Sequence, residues 1–346
     1  MSGLTFPLDL PIFVAGARGM VGSAIKRLLK TMGFNNILAP DRETLDLSVQ
    51  TAVNNFFAQH RPALVFLAAA RVGGIIANNT FPAEFIRDNL IVQSNVIDAA
   101  QKFGALRLLF LGSSCVYPKH ASQPISECEL LSGPLEPTNR PYAVAKIAGI
   151  EMCWSYNRQY SNNAGSGTVA VREPQSGTTY LAVMPTNLYG TGDNYHPTNS
   201  HVIPGLLNRF HEAKECAASE VVVWGSGSPR REFMHVDDMA QACIELALLP
   251  NHIWSELTAS DRNDGEPPIV NIGVGEDISI AELAKLIALT VGFEGTIRFD
   301  TTKPDGTPRK LLAIEKLNRL VKIKPRSLDV GLAQVYKEYK NIAHTR

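Results

Sequence analysis

Along this chain, short continuous apolar runs alternate with longer segments whose apolar residues recur every three to four positions. The run at 10–15 passes through Gly16-Ala17-Arg18-Gly19-Met20-Val21-Gly22 into Ser23-Ala24-Ile25-Lys26-Arg27-Leu28-Leu29, which has helical spacing. Further strands are predicted at 36–39, 63–67, 108–111, 180–184, 221–223 and 269–272. Helices are predicted at 82–103, at 139–160, around Arg209, from Asp237 or Asp238 onward, at 279–291 and in the 327–343 tail. Regular alternation of strand and helix predicts an α/β fold, a doubly wound parallel sheet of the Rossmann type. Beyond residue 188 the alternation loosens, which predicts a smaller α+β lobe. Residues 1–188 therefore read as a dinucleotide-binding domain to which 232–275 returns, and 189–346 as mainly a substrate-binding lobe. Two segments break the rhythm: 161–179, rich in Gly, Ser and Thr, reads as a surface excursion, and 251–268, polar with paired prolines, as a loop.

Length and composition narrow the classes. A chain of 346 residues has room for two lobes. Its 33 basic and 33 acidic residues cancel, so a polybasic nucleic-acid or membrane surface is not expected and an anionic ligand must meet local positive charge. The five cysteines are odd in number and lack Cys-x-x-Cys spacing, which fits a reducing compartment. With no leader-like start and no apolar run of membrane-spanning length, a cytoplasmic location is expected. The eight histidines are dispersed and no metal-ligand cluster is evident.

The candidate chemistry begins at the glycine loop. Gly16 suits the tight turn, Gly19 a close approach of backbone to a pyrophosphate, and Gly22 packing of helix on strand, with phosphate at the helix N-terminus. About twenty residues on, where such folds choose their cofactor, stand Asp41 and Arg42. An acid there suits the ribose hydroxyls of NAD, whereas Arg42 together with Arg18 suits the 2′-phosphate of NADP, and the two arginines favour NADP. Asp46 is placed to meet the adenine or to cap the following helix. Small residues at Ala68-Ala69-Ala70 would let a cofactor lie close, and Asn187-Leu188 falls where its nicotinamide end is expected. A second centre runs from Ser113 to Lys146. Tyr142 precedes Lys146 by four residues, so phenol and ammonium share one helix face, and the cation is expected to depress the phenol's pKa for proton exchange with a carbonyl or alcohol. Ser113 could hydrogen-bond the same oxygen. In the second lobe Arg209, Arg231 and Lys303 would make a cationic pocket suited to a diphosphate. The long helices at 82–103 and 139–160 offer a homodimer seam, or their stripes face only the sheet.

The order of these motifs resembles the extended short-chain dehydrogenase/reductase family. Val72-Gly73-Gly74-Ile75, Gly112-Ser113-Ser114-Cys115-Val116-Tyr117-Pro118-Lys119, Met184-Pro185-Thr186-Asn187-Leu188-Tyr189-Gly190, Asn199-Ser200-His201-Val202-Ile203-Pro204, Val223-Trp224-Gly225-Ser226-Gly227 and the block from Lys303 to Leu312 are similar to the branch acting on GDP-4-keto-6-deoxy-D-mannose. The resemblance implies 3,5-epimerisation followed by NADPH-dependent 4-reduction to GDP-L-fucose. It implies Cys115 and His201 as proton exchangers at C3 and C5, in an order left open, and Ser113 and Tyr142 at the C4 oxygen. Cofactor contacts would come from the loop Gly16 to Gly22, with Met20 and Val21, and from Arg42, Asp46, Ala68, Ala70, Lys146, Asn187 and Leu188. Trp224 would pack on the guanine, with Arg209, Arg231, Lys303, Asn187 and His201 around the substrate. The alternative is a nucleotide-sugar 4-epimerase of the same family, which Asp41 would suit.

Overall fold

The computed structural model describes residues 6–160, 177–196, 200–259, 266–303 and 305–343. Six parallel strands form the central sheet, in the order Ile269–Ile272, Thr179–Pro185, Arg107–Leu111, Leu64–Leu67, Ile12–Ala15, Ile37–Leu38. Successive side chains of a strand leave opposite faces, and the two faces carry separate cores. Ile12, Val14, Leu64, Phe66, Leu109 and Leu111 pack with helices Met20–Thr31 and Val236–Ala247. Phe13, Ala15, Val65, Leu67, Leu108 and Phe110 pack with Gln50–His60, Pro82–Lys102 and Arg140–Tyr160. Both faces being covered is why the strands read as unbroken apolar runs.

A third core lies apart from the sheet. It joins helices Val202–Glu215, Ile280–Val291 and Leu328–Ala343 to Val221, Val223 and Phe233. Because Val236–Ala247 and Ile269–Ile272 return to the sheet between the parts of this third core, the chain crosses between the two regions more than once. Such crossings tie the lobe to the sheet covalently at several points.

Two expectations change. The segment read as a loop at 251–268 opens as a helix, Asn251–Thr258, with Trp254 and Leu257 buried. The Trp254 indole donates to Thr179 Oγ1 at 2.8 Å and stacks with Arg107, so tertiary anchoring overrides a polar local composition. Likewise the end of 161–179 is not an excursion: Thr178 is fully buried, its hydroxyl on the carbonyls of Ala100 and Ala105, and Thr179 starts a core strand. Residues 161–176, the rest of that segment, lie outside the described residues. All five cysteines are free thiols, and among the described residues no helix is long and apolar enough to cross a membrane.

Candidate active site

Strand order reverses between Ile12–Ala15 and Leu64–Leu67, and at such a switch point the loops diverge and leave a crevice. A cavity of about 920 Å³ opens there, lined by Gly16, Arg18, Gly19, Asp41, Arg42, Asp46, Ala68 and Ala70 among others. The loop is closed by two glycines. Gly16 takes φ +82°, and a Cβ on it would meet Ala69 N at 2.7 Å. A Cβ on Gly22 would meet Gly16 O at 2.2 Å, so Gly22 seats the helix on the glycine turn itself rather than on the strand as expected. Helix Met20–Thr31 starts without a side-chain cap, leaving its first amides for an anion. The side chains of Met20 and Val21 at its start, like that of Leu188, are partly buried against the core.

The carboxylates of the cavity are engaged locally. Asp41 accepts from Thr44 N at 2.9 Å and Thr44 Oγ1 at 2.8 Å, and pairs with Arg18 at 3.6 Å. The Thr44 hydrogen bonds are the main reason its pKa is lowered. Asp46 accepts from Ser48 N and Oγ, forming a turn before helix Gln50–His60 rather than its cap. Arg42 is exposed, 3.7 Å from Asp46. An Asp41 tied to Thr44 and Arg18 is poorly placed to bind ribose hydroxyls, whereas two exposed guanidiniums beside a dinucleotide-sized crevice fit a 2′-phosphate. Sequence reading missed Arg71 and Arg87, which also line this cavity; Arg71 is held by Glu84 and by Asp88 at 2.9 Å.

Beyond the strand Arg107–Leu111 the chain brings Ser113, Cys115 and Tyr142 together. Ser113 Oγ accepts from Cys115 N at 3.2 Å, capping the tight turn Ser114–Val116 that carries the cysteine. Burial holds the Tyr142 phenol well above its ordinary range, with nearby Cys115 adding to the rise and a hydrogen bond to Ser113 opposing it. The expected depression by Lys146 is not met. Lys146 Nζ donates to the Leu111 carbonyl at 2.7 Å and lies 6.0 Å from the Tyr142 ring centroid. Burial lowers the lysine itself to about 8. Tyr142 is therefore a neutral phenol, suited to hydrogen-bonding an oxygen and giving it a proton.

Two donors address the Cys115 sulfur: Asn139 Nδ2 at 3.3 Å and Lys310 Nζ at 3.8 Å. Neither was singled out from sequence. Arg231 is close enough to Cys115 and Asp305 for both to raise its pKa against a larger lowering by burial. His201 stands exposed at the start of helix Val202–Glu215, where partial desolvation by the protein around its ring lowers its pKa and favours neutral imidazole. Its loop passes the glycine segment after strand Leu64–Leu67, for a Cβ on Gly74 would touch Ser200 O at 3.4 Å. Farther out, Trp224 is 50% exposed, large for an indole, with the Arg209 guanidinium 5.6 Å and Lys303 Nζ 5.8 Å from its ring. An open aromatic face between cations suits a base and its phosphates.

The cleft is braced by Glu232, fully buried. Its carboxylate accepts from Val274 N (2.6 Å), Gly275 N (2.7 Å) and Leu312 N (3.0 Å). Its own carbonyl takes Asn187 Nδ2 at 2.9 Å, so Asn187 serves as a brace. Burial raises the Glu232 pKa while the backbone bonds pull it down. Among the described residues no cluster of ligands could hold a metal.

A dinucleotide-sized crevice at a switch point, with a serine and a neutral tyrosine gathered past the end of a strand in the same sheet, defines a nucleotide-cofactor-dependent enzyme of carbonyl chemistry. The chain belongs to the NAD dependent epimerase/dehydratase family, whose sequence model matches residues 12–273. It is 52% identical over 326 residues to the GDP-L-fucose synthase of Escherichia coli K12, covering 94% of this chain and 95% of that one. Among solved structures it resembles a GDP-6-OMe-4-keto-L-xylo-heptose reductase from C. jejuni, with TM-score 0.86 and 33% identity over 97% of this chain and 99% of the other. A GDP-L-fucose synthetase from Naegleria fowleri bound to NADP matches with TM-score 0.81 and 26% identity, covering 99% of this chain and 97% of that one.

Proposed function

We infer that this enzyme converts GDP-4-keto-6-deoxy-D-mannose to GDP-L-fucose, by epimerisation at C3 and C5 and NADPH-dependent reduction at C4. The observation that carries this reading is the Cys115 sulfur lying beside Tyr142, since reduction or epimerisation at C4 alone gives a thiol nothing to do. Protons at C3 and C5 of a 4-keto sugar are acidic because the carbanion delocalises onto the C4 oxygen. Ser113 and Tyr142 hold that oxygen and stabilise the enolate. Cys115 and His201 exchange protons with C3 and C5, a thiol and an imidazole being suited to transfer near neutrality. One oxygen site then serves both reactions, with Tyr142 giving its proton to the C4 oxygen in the last step. The glycine loop, Arg18, Arg42, Ala68 and Ala70 would hold NADPH, with Lys146 toward its ribose, and the cofactor when bound would supply the hydride for C4; Trp224, Arg209, Arg231 and Lys303 would take the GDP.

Residues 1–188 with 232–275 serve the cofactor and the remaining lobe serves the nucleotide. Two copies pair through helices Pro82–Lys102 and Arg140–Tyr160, which lie side by side on one face of the sheet, and the free thiols suit the cytoplasm. Light scattering tests the pairing. The activity is tested by following NADPH absorbance with freshly made keto sugar and identifying the product. Consumption of NADPH matched by GDP-L-fucose supports the reading; a product differing only at C4, or no consumption, overturns it.

A further inference from the structure

Lys310 has no role in the reaction as drawn above, yet its ammonium lies 3.8 Å from the Cys115 sulfur. We propose that Lys310 is a positioning residue for epimerisation, holding that sulfur by a charged hydrogen bond and stabilising it whenever it is anionic. The inference rests on the proton-exchanging role given to Cys115.

Its place is built by the small sheet, not by chance reach of a surface lysine. Strands Arg230–Arg231 and Arg309–Lys310 run parallel, with Arg230 beside Arg309 and Arg231 beside Lys310. Side chains alternate across a strand. Arg230 and Arg309 both grip Asp277, whose side chain is only 5% exposed, and Arg230 also pairs with Glu282 at 3.3 Å, so the two cations on one side of the ladder are matched by two carboxylates. The other side, Arg231 with Lys310, faces Cys115. The strand is fixed through its backbone: Glu232 N donates to Lys310 O, Leu311 N to Gln123 Oε1, and Leu312 N to Glu232 Oε2. Changing the Lys310 side chain therefore leaves its course intact.

The chemistry asks for such a cation. When a C–H proton passes to sulfur, the bonding pair moves onto the C4 oxygen and the sulfur goes from anion to thiol; in the reverse sense the thiol becomes an anion. Either way the sulfur is negative on one side of the step, inside a partly desolvated cleft where an unpaired charge is unfavourable. Asn139 adds a second, neutral donor at 3.3 Å. With both directed at it, the sulfur is held in one orientation toward the substrate.

The test uses the holoenzyme with NADP⁺, so that no reduction occurs, and reads deuterium uptake from solvent at C3 and C5 of the keto sugar. Lys310→Met is expected to slow uptake at least tenfold with NADPH affinity within twofold of the native enzyme, and Lys310→Arg to recover most of it. With NADPH present, Lys310→Met should shift product toward the unepimerised alcohol. Uptake within twofold of native in Lys310→Met, while Cys115→Ser loses it, would overturn the role of Lys310 and leave that of Cys115 standing. Native uptake in Cys115→Ser would overturn both. A Lys310→Arg variant as slow as Lys310→Met, or equal loss of NADPH binding, would reduce Lys310 to a structural part.

Discussion

The two halves of the active site are built differently. The cofactor crevice gathers four stretches of the first ninety-odd residues around a glycine turn, a helix start and exposed arginines, and the hydrogen bonds of its carboxylates are local, spanning two or three residues. The reaction cleft is made from segments far apart in the chain, with Cys115 addressed from Asn139 and Lys310 and everything braced through buried Glu232. Backbone shape suffices for a ligand bound mainly through phosphates and stacked rings. Proton transfer needs side-chain atoms held to a fraction of an ångström, and only a packed, hydrogen-bonded frame does that. The crevice should therefore tolerate substitution and the cleft should not.

The sharpest contrast is at Tyr142. Tyr142→Phe should lower the rate of NADPH oxidation about a thousandfold, while fluorescence titration returns an unchanged NADPH affinity. A parallel loss of affinity would erase the distinction between the halves. Glu232→Ala comes next: three N–H donors, that of Leu312 buried and those of Val274 and Gly275 partly so, lose their acceptor, and the unfolding free energy should fall by roughly 2–4 kcal/mol, with activity lost in proportion to folded protein at assay temperature. Milder still, Arg18→Ala with Arg42→Ala should raise KM for NADPH by roughly tenfold or more, leave KM for NADH nearly unchanged and leave thermal stability alone. A large drop in Tm would show that the crevice is braced like the cleft.

A separate effect, on stability alone, is a pH dependence. Lys146 is buried with a folded pKa of about 8, below its ordinary 10.5, so the folded chain without cofactor carries a strained ammonium at pH 7. The sign follows: the folded state binds fewer protons than the unfolded one between about 8 and 10.5, so stability rises with pH in that window. Compared with Lys146→Met, which lacks this group, the native enzyme should gain on the order of 2 kcal/mol between pH 7 and 10. Parallel stability curves for the two proteins would show that the Leu111 carbonyl already compensates the charge.

Much of this was legible in the chain. Strands such as Ile12–Ala15 and Leu64–Leu67 are unbroken apolar runs because both sheet faces are covered, and the pattern announces them. Gly16 and Gly22 signal themselves because only a missing Cβ lets the loop close. Ser113, Cys115 and Tyr142 could be chosen from local motifs. Helix Asn251–Thr258 could not be read, because its anchor is Trp254 against Arg107 and Thr179, partners more than seventy residues away. The same limit hid the electrostatics: helical spacing put Lys146 and Tyr142 on one face, but burial and the Leu111 carbonyl, not the spacing, set where the ammonium points and how both groups titrate. Sequence fixes which groups are present and which local turns they can make. Desolvation and the meeting of Lys310 with Cys115, 195 positions apart in the chain, depend on three-dimensional packing, and so only the tertiary structure decides them.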